Sequence, residues 1–426
     1  MASQNATPDE KKMHVIIIGS GCTGLFIAQG LKKRGISFTI HDKINPAFRH
    51  RDWSMTMFWA FKYYPHLLSE EMQARVHEAQ VRSFYKSTDT EELVLRNAAT
   101  GEVLKKVNSP YAIRVSRARL RKFLLAGLDV KYNHELVNIE YTPTGAIAYF
   151  SDGTTETGSI VVGADGGQSL VRRLLLKELA VPESYPEYDM ANLSVTYTHE
   201  QGKYIANSMA PHVDYGVHPK GIFFIMLYRT AVDKDDYSTW TFHYVITWPK
   251  DLPGMPYKGQ SNADRLRVLK SFADDFAEPR RSALAWMPED QDVPNDMIKI
   301  WVPIPWDNHA GQVTLAGDAA HAISFHRGQG MNNATVDCAN FVTAVDKIVS
   351  GEETKEAAIA EYEKEVIDRG TYEATLSRQL TLNIHHWDRF LESPIMKYGG
   401  NLAREVAPVA RSQLSTAAAV AQEAAA

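Results

Sequence analysis

Cysteine is nearly absent, with Cys22 and Cys338 the only two in 426 residues. That excludes a disulfide framework and a cysteine-built zinc site, and nothing else in the sequence reads as a metal centre. Long hydrophobic runs are missing too: the longest are strand-sized, too short to cross a bilayer. The opening MASQNATPDEKK has no apolar core of the kind a secretory signal needs, so a cytoplasmic protein without stable membrane insertion is expected. Nor is positive charge in excess. A formal net charge of −5 gives no basis for nucleic acid as a partner. With 44% hydrophobic and 23% charged residues the chain is globular rather than disordered. Its alanine-rich tail, SQLSTAAAVAQEAAA, reads as a frayed helix or as disordered, without the basic face or bulky anchors of a membrane-surface helix.

What is present begins with HVIIIGSGCTGLFIAQGLKKRGISFTIHDK, residues 14–43. Residues 15–18 are continuously apolar and β-branched, as in a parallel strand buried on both faces. Gly19, Gly21 and Gly24 follow in the order G-x-G-x-x-G, and residues 25–33 show helical spacing. The three glycines serve a tight turn, a bare backbone that a pyrophosphate can approach, and close helix-to-strand packing. A second strand at 37–40 ends beside Asp42, where a carboxylate can accept from an adenosine ribose. Such glycines can also arise in any turn, but a strand before, a helix after and an acid beyond predict dinucleotide binding.

Downstream, residues 116–128 read as a helix capped by Ser116. Residues 136–149 and 155–162 read as a hairpin returning to the sheet, and 221–229 and 239–247 as long strands of a β-rich unit. From Asn332 onward the pattern is mostly helical. Two more strand ends carry chemistry. In SIVVGADGGQSLVRRLLL a buried strand runs into Asp165-Gly166; Asp165 reads equally as a helix cap. In VTLAGDAAHAISFHRGQGMNNATVDCANF another delivers Gly317-Asp318, then Gly328-Gln329-Gly330 opens a helix with unblocked N–H groups.

Together and in this order, these three motifs resemble the single-component aromatic-hydroxylase family of FAD-dependent monooxygenases, the para-hydroxybenzoate hydroxylase-like group. RDW at 51–53 and SFHRGQGMN at 324–332 look like its fungal, secondary-metabolism branch. The family usually has glutamate where this chain has Asp42, and prolines where it has Ser324 and Phe325. The resemblance implies an α/β fold: a Rossmann-like FAD-binding domain of the glutathione-reductase type (13–185 and 300–350), an inserted β-rich substrate domain (186–299) and a helical C-terminal region with its tail (351–426). It implies cofactor contacts at Gly19, Gly21, Cys22, Thr23, Gly24, Asp42, Arg51, Arg117, Asp165, Asp318, Gly328, Gly330, Met331 and Asn332. It also implies FAD reduced by NADPH or NADH, reaction with O2 to a flavin C4a-hydroperoxide, and hydroxylation or epoxidation of an apolar or aromatic small molecule.

For substrate activation the candidates are Arg229, His243 and Tyr244, on strands expected to line the face toward the flavin; each reads equally as an ordinary sheet residue. His321 reads as structural. With no second G-x-G-x-x-G unit, the nicotinamide is expected to dock transiently near Asp165-Gly166, and Arg51, Arg172 and Arg173 are the nearest cations by motif, each reading equally as a surface charge or an FAD contact. A halogenase would carry W-x-W-x-I-P, and WVPIPW at 301–306 has the wrong order. An oxidase or oxidative cyclase without net oxygen transfer, and a non-enzymatic binding protein on the same scaffold, remain as alternatives.

Overall fold

The computed structural model describes residues 13–45, 51–252 and 257–398; the alanine-rich tail and the first twelve residues lie outside them. The apolar run forms β1 (His14–Ile18), the glycine turn leads into α1 (Cys22–Lys33), and β2 (Ser37–Asp42) pairs parallel to β1. β1 lies in the middle of a five-stranded parallel sheet: Val313–Leu315, Ile160–Gly163, β1, β2, Lys131–Tyr132. Every strand that carries a motif therefore ends at the same edge. Ile17 is flanked by Val162 and Ile40, and Val162 in turn by Thr314. Burial on both faces explains why these strands are continuously apolar rather than alternating.

A three-stranded antiparallel sheet, Leu136–Tyr141, Ala146–Phe150 and Thr155–Gly158, is the expected hairpin with one strand more. The helix Arg117–Leu124 begins where Ser116 caps it, the Ser116 hydroxyl accepting from the Arg119 amide at 3.2 Å. At the C-terminal side Gly330–Ser350 and Lys355–Asn383 are the long helices. None of the helices in the described residues is long and apolar enough to cross a membrane.

The inserted sheet has six strands: Tyr188–Thr196, Thr241–Pro249, Phe223–Thr230, Asp214–Val217, Glu92–Asn97 and Val103–Asn108. The last two come from outside the expected 186–299 range. Asp214–Val217 pairs parallel with Glu92–Asn97, a contact between segments more than a hundred residues apart that no local pattern announces. One face of this sheet packs Tyr197, Phe224, Phe242, Tyr244 and Trp248 into a core of its own. The other carries Tyr215, Phe223, Ile225 and Leu227 toward Phe58, Phe325 and the C-terminal helices.

Candidate functional site

The ends of β1, Ile160–Gly163 and Val313–Leu315 place their motifs around one cleft. Gly19 has φ +105°, and a Cβ there would sit 2.5 Å from the Ala164 carbonyl oxygen; at Gly24 it would lie 2.0 Å from that of Gly19. These two glycines are required by packing. Gly21 is different: nothing lies closer than 4.0 Å to its missing Cβ, so its backbone faces open space. α1 starts there with no side-chain cap and no acid in its first turn, so the amides of Cys22 and Thr23 are left for an external acceptor. The helix at Gly330 likewise starts uncapped and without an acid, and its Gly330 lies 3.9 Å, measured from the missing Cβ, from Asp318 Oδ1.

Charge converges on the same place. Asp318 is open to solvent in the cleft, yet protein crowds it enough that burial raises its carboxyl, against His321, Arg117 and Arg172, which pull it down. Arg117 also acts on Cys22, whose thiol burial pushes up to about 11. A single guanidinium thus lies near both the glycine turn and Asp318. It stacks on Trp53 at 4.4 Å, while its amide donates to the Trp53 carbonyl at 3.0 Å. Asp165 caps the helix Leu170–Leu176, with Oδ2 accepting from Leu170 at 2.7 Å and Val171 at 3.3 Å; its Oδ1 is buried without a partner. A bare cradle at Gly21 and Gly330, two uncapped helix starts, one arginine and an orphaned carboxylate oxygen fit a dinucleotide with its diphosphate.

The region matched by the FAD binding domain family model is residues 12–372. The fungal FAD-dependent monooxygenase phnB of Penicillium herquei is 31% identical over 392 residues, covering 91% of this chain and 94% of phnB. Its counterpart cctM of Talaromyces islandicus is 32% identical over 398 residues, covering 92% and 98%. The chain belongs to the FAD-dependent monooxygenases. Among solved structures, Klebsiella pneumoniae HpxO complexed with FAD and uric acid has the same fold at 20% identity, with a TM-score of 0.69 over 92% of this chain and 94% of HpxO. So does 2,6-dihydroxypyridine-3-hydroxylase of Arthrobacter nicotinovorans at 18% identity, TM-score 0.69, over 88% and 94%.

In this monooxygenase several expected residues have other occupations. Asp42 turns back on the glycine turn: Oδ2 accepts from the Ser20 amide at 2.9 Å and hydroxyl at 2.6 Å, and Oδ1 from the Ile44 amide at 2.9 Å. Arg121 clamps the same serine, donating to its carbonyl at 2.8 Å. Arg51 makes a two-pronged ion pair with Asp296, both contacts 2.8 Å, and donates to the Asn192 carbonyl. Asn332 bonds Phe58 and Thr56 and so holds the strand Ser54–Met57 to the 328–332 turn. Gly328 takes a left-handed φ of +63° beside Phe58, and Met331 packs half-buried on the sheet core.

The nicotinamide-docking idea needs correction at Arg172. Its side chain is 1% exposed, donates to the carbonyls of Ala180, Ala319 and Asp318, and stacks on Trp301 at 4.4 Å. A cation so enclosed ties loops together and meets no incoming phosphate. Arg173 is exposed.

A second correction concerns Tyr244. Successive strand residues point to opposite faces, so His243 and Tyr244 cannot both line the cleft. Tyr244 is fully buried among Tyr197, Phe224 and Phe242 on the far face. His243 faces the cofactor domain, with Nε2 2.8 Å from Asn192 Oδ1 and Nδ1 3.2 Å from Ser54 Oγ. An amide oxygen only accepts, so Nε2 carries the hydrogen. Burial, with Arg114, Arg229 and Arg51 adding to it, holds the ring well below its usual pKa. His243 is a neutral, satisfied imidazole. Arg229 stands 3.5 Å from Asp52, on the same face as His243.

Two residues to which the sequence assigned no role organise the cleft. Asp52 accepts from Ser116 Oγ and the Ala118 amide, both at 2.9 Å, and so anchors the Arg117 helix. Asp337, fully buried, accepts from the Gly317 amide and from His321 Nε2, both at 2.7 Å, and pairs with Arg369. Its signal was available: an acid between Val336 and Cys338 on the apolar stripe of a helix needs a partner. His321 is structural, as expected. An open depression of about 460 Å³ lies elsewhere, at Lys220 and His385 to Arg389, away from the glycine turn.

Proposed function

We propose that the protein is an FAD-dependent monooxygenase that uses NADPH or NADH and O2 to place one oxygen atom on an apolar or aromatic small molecule in fungal secondary metabolism. The observation that carries this reading is the convergence of Gly21, the uncapped helix starts at Cys22 and Gly330, Arg117 and Asp318 on one cleft. Bound FAD supplies the redox centre for hydride acceptance and oxygen activation. The chain's own residues would hold and orient it: the amides of Cys22 and Thr23 would serve its diphosphate, Asp318 would accept from its hydroxyls, and the Gly328–Gly330 backbone would offer N–H groups. Asp42 shapes the glycine turn through Ser20, and a ribose hydroxyl would share its carboxylate with the Ser20 and Ile44 donors.

An apolar substrate is supported by the aromatic wall around Gly328, where Phe58 lies 3.6 Å and the Tyr215 hydroxyl 3.9 Å from the missing Cβ. Uric acid with HpxO and a dihydroxypyridine hydroxylase among structures of this fold support a ring substrate by analogy. Arg229 and His243 are the cleft-facing polar groups of the inserted sheet nearest to a substrate-orienting role. The test is NADPH and NADH consumption against a panel of phenolic, indolic and terpenoid compounds, with mass spectra of the products. One added oxygen is expected. A compound dehydrogenated with hydrogen peroxide formed, no oxygen added and no NADPH or NADH consumed would favour an oxidase or oxidative cyclase, and a protein that cannot bind FAD would favour the non-enzymatic alternative.

A further inference from the structure

His243 fixes the orientation of a second side chain on the cleft-facing side of the inserted sheet. Its Nδ1 lies 3.4 Å from the Ser54 amide nitrogen and 3.5 Å from a guanidinium nitrogen of Arg114. Both groups only donate, so Nδ1 carries the lone pair and the ring hydrogen sits on Nε2. The Asn192 amide must therefore turn its oxygen to that Nε2, at 2.8 Å, and its NH2 the other way. The NH2 has no hydrogen-bond partner among the described residues, and Asn192 is only half-buried.

What surrounds this donor is apolar and leads to the cofactor cleft. In the pairing of Tyr188–Thr196 with Thr241–Pro249, Asn192 lies opposite Val245 and Met190 opposite Thr247. Leu193 and Tyr244 take the far face, so Asn192, Met190 and Val245 share the face of His243. Met190 and Val245 belong to an apolar cluster on which Ile323 and Phe325 pack. Ile323 in turn comes within 3.9 Å of the Gly330 Cβ position, at the uncapped helix start of the cleft. On its other side Asn192 is tied to the segment that carries Trp53, since Arg51 donates to the Asn192 carbonyl at 3.1 Å.

Charge selects what the donor can take. Of the arginines near His243, Arg51 is paired with Asp296 and Arg229 stands beside Asp52. Arg114 is buried, and its partners are all neutral: the Ser54 carbonyl at 2.8 Å and hydroxyl at 2.6 Å, the Thr56 hydroxyl at 2.6 Å and the Tyr228 carbonyl at 3.0 Å. A guanidinium without a carboxylate behind His243 makes this wall favourable for an electron-rich oxygen and unfavourable for a cation.

We infer that Asn192 is a specificity-determining residue, whose side-chain NH2 donates to a carbonyl or phenolic oxygen of the ring substrate while the apolar body of that substrate lies along Met190, Val245 and Phe325. The inference rests on the cleft being the monooxygenase site, and it narrows the apolar or aromatic substrate to one that carries an acceptor oxygen. His243 is the positioning residue. By holding the amide oxygen it presents the donor in one orientation before substrate arrives. A ring without oxygen strips water from the NH2 and leaves it unpaired, which is the source of the discrimination.

The test titrates the full-length, FAD-loaded protein with naphthalene, 2-naphthol and 2-acetylnaphthalene, following the flavin absorbance. The two oxygenated probes are expected to bind the parent about three- to tenfold more tightly than naphthalene, the worth of one hydrogen bond. Asn192→Asp keeps an oxygen for His243 and replaces the donor by a second acceptor, so the preference is expected to vanish or reverse while FAD content holds. Asn192→Leu, which also lacks the donor, gives a second reading should the aspartate variant fold poorly. A preference unchanged in both variants, or a parent that binds the three probes alike or none of them, overturns the inference. So does loss of FAD confined to the Asn192 variants, which would assign the NH2 to the cofactor. A parent that never loads FAD refutes the monooxygenase reading itself, whereas a missing preference alone leaves that reading standing.

Discussion

Replacing Asp318 by alanine tests the cleft most directly. The side chain makes no hydrogen bond to the described residues, while its backbone carbonyl accepts from Arg172 at 3.1 Å. A truncation therefore removes a charged acceptor from the cleft and leaves the backbone tie in place. Burial already raises this carboxyl, and Asp337 raises it further, so the folded protein is not stabilised by the charge and the melting temperature without FAD is expected to hold or rise slightly. With FAD the balance reverses. One or two charge-assisted hydrogen bonds to the cofactor are worth roughly 1.5 to 3 kcal/mol, which corresponds to an increase in FAD Kd of about 10- to 150-fold. Equilibrium titration of the apoprotein, followed by flavin fluorescence, measures that Kd, and thermal scans with and without FAD separate binding from folding. An unchanged Kd would refute the assignment. A loss of apoprotein stability would show that the carboxylate has a structural role instead.

The purified protein should be yellow with FAD released by denaturation, since both cysteines are buried; flavin that stays with the denatured chain would contradict this. Arg172→Met should lower the melting temperature through its lost carbonyl contacts and leave the KM for NADPH unchanged in whatever folds, as steady-state kinetics would show. Tyr244→Phe should keep turnover within about twofold, because the hydroxyl is buried on the far face. Glu363, 6% exposed and hydrogen-bonded by Trp306 and Asn308, has its carboxyl pushed up by burial to about 7. A raised carboxyl favours the folded state when protonated, so its contribution is complete below pH 4.5 and is lost as pH rises through 7; from the size of the shift it amounts to about 3 kcal/mol at most. Denaturant titrations of Glu363→Gln between pH 5 and 8 should accordingly show a flatter stability profile than the parent's.

By itself the sequence determined what is local or repeated along one element. Continuous β-branched runs marked the parallel strands, because burial on both faces leaves no room for alternation. The glycine order marked the turn at Gly19 to Gly24, where Gly19 takes a positive φ and a Cβ at Gly24 would meet the Gly19 carbonyl oxygen within the same turn, and Ser116 marked a helix start because a cap acts within its own turn. What depends on pairing between distant segments was decided only in the folded chain. Glu92–Asn97 joins the inserted sheet by lying beside Asp214–Val217, Arg51 is held by Asp296, and Arg172 closes on carbonyls from two other segments. An arginine has one appearance in a sequence and several uses in a fold, and only the neighbours that tertiary packing supplies choose among them. The strand period assigns His243 and Tyr244 to opposite faces, but which face meets the cofactor domain follows from how the two sheets pack.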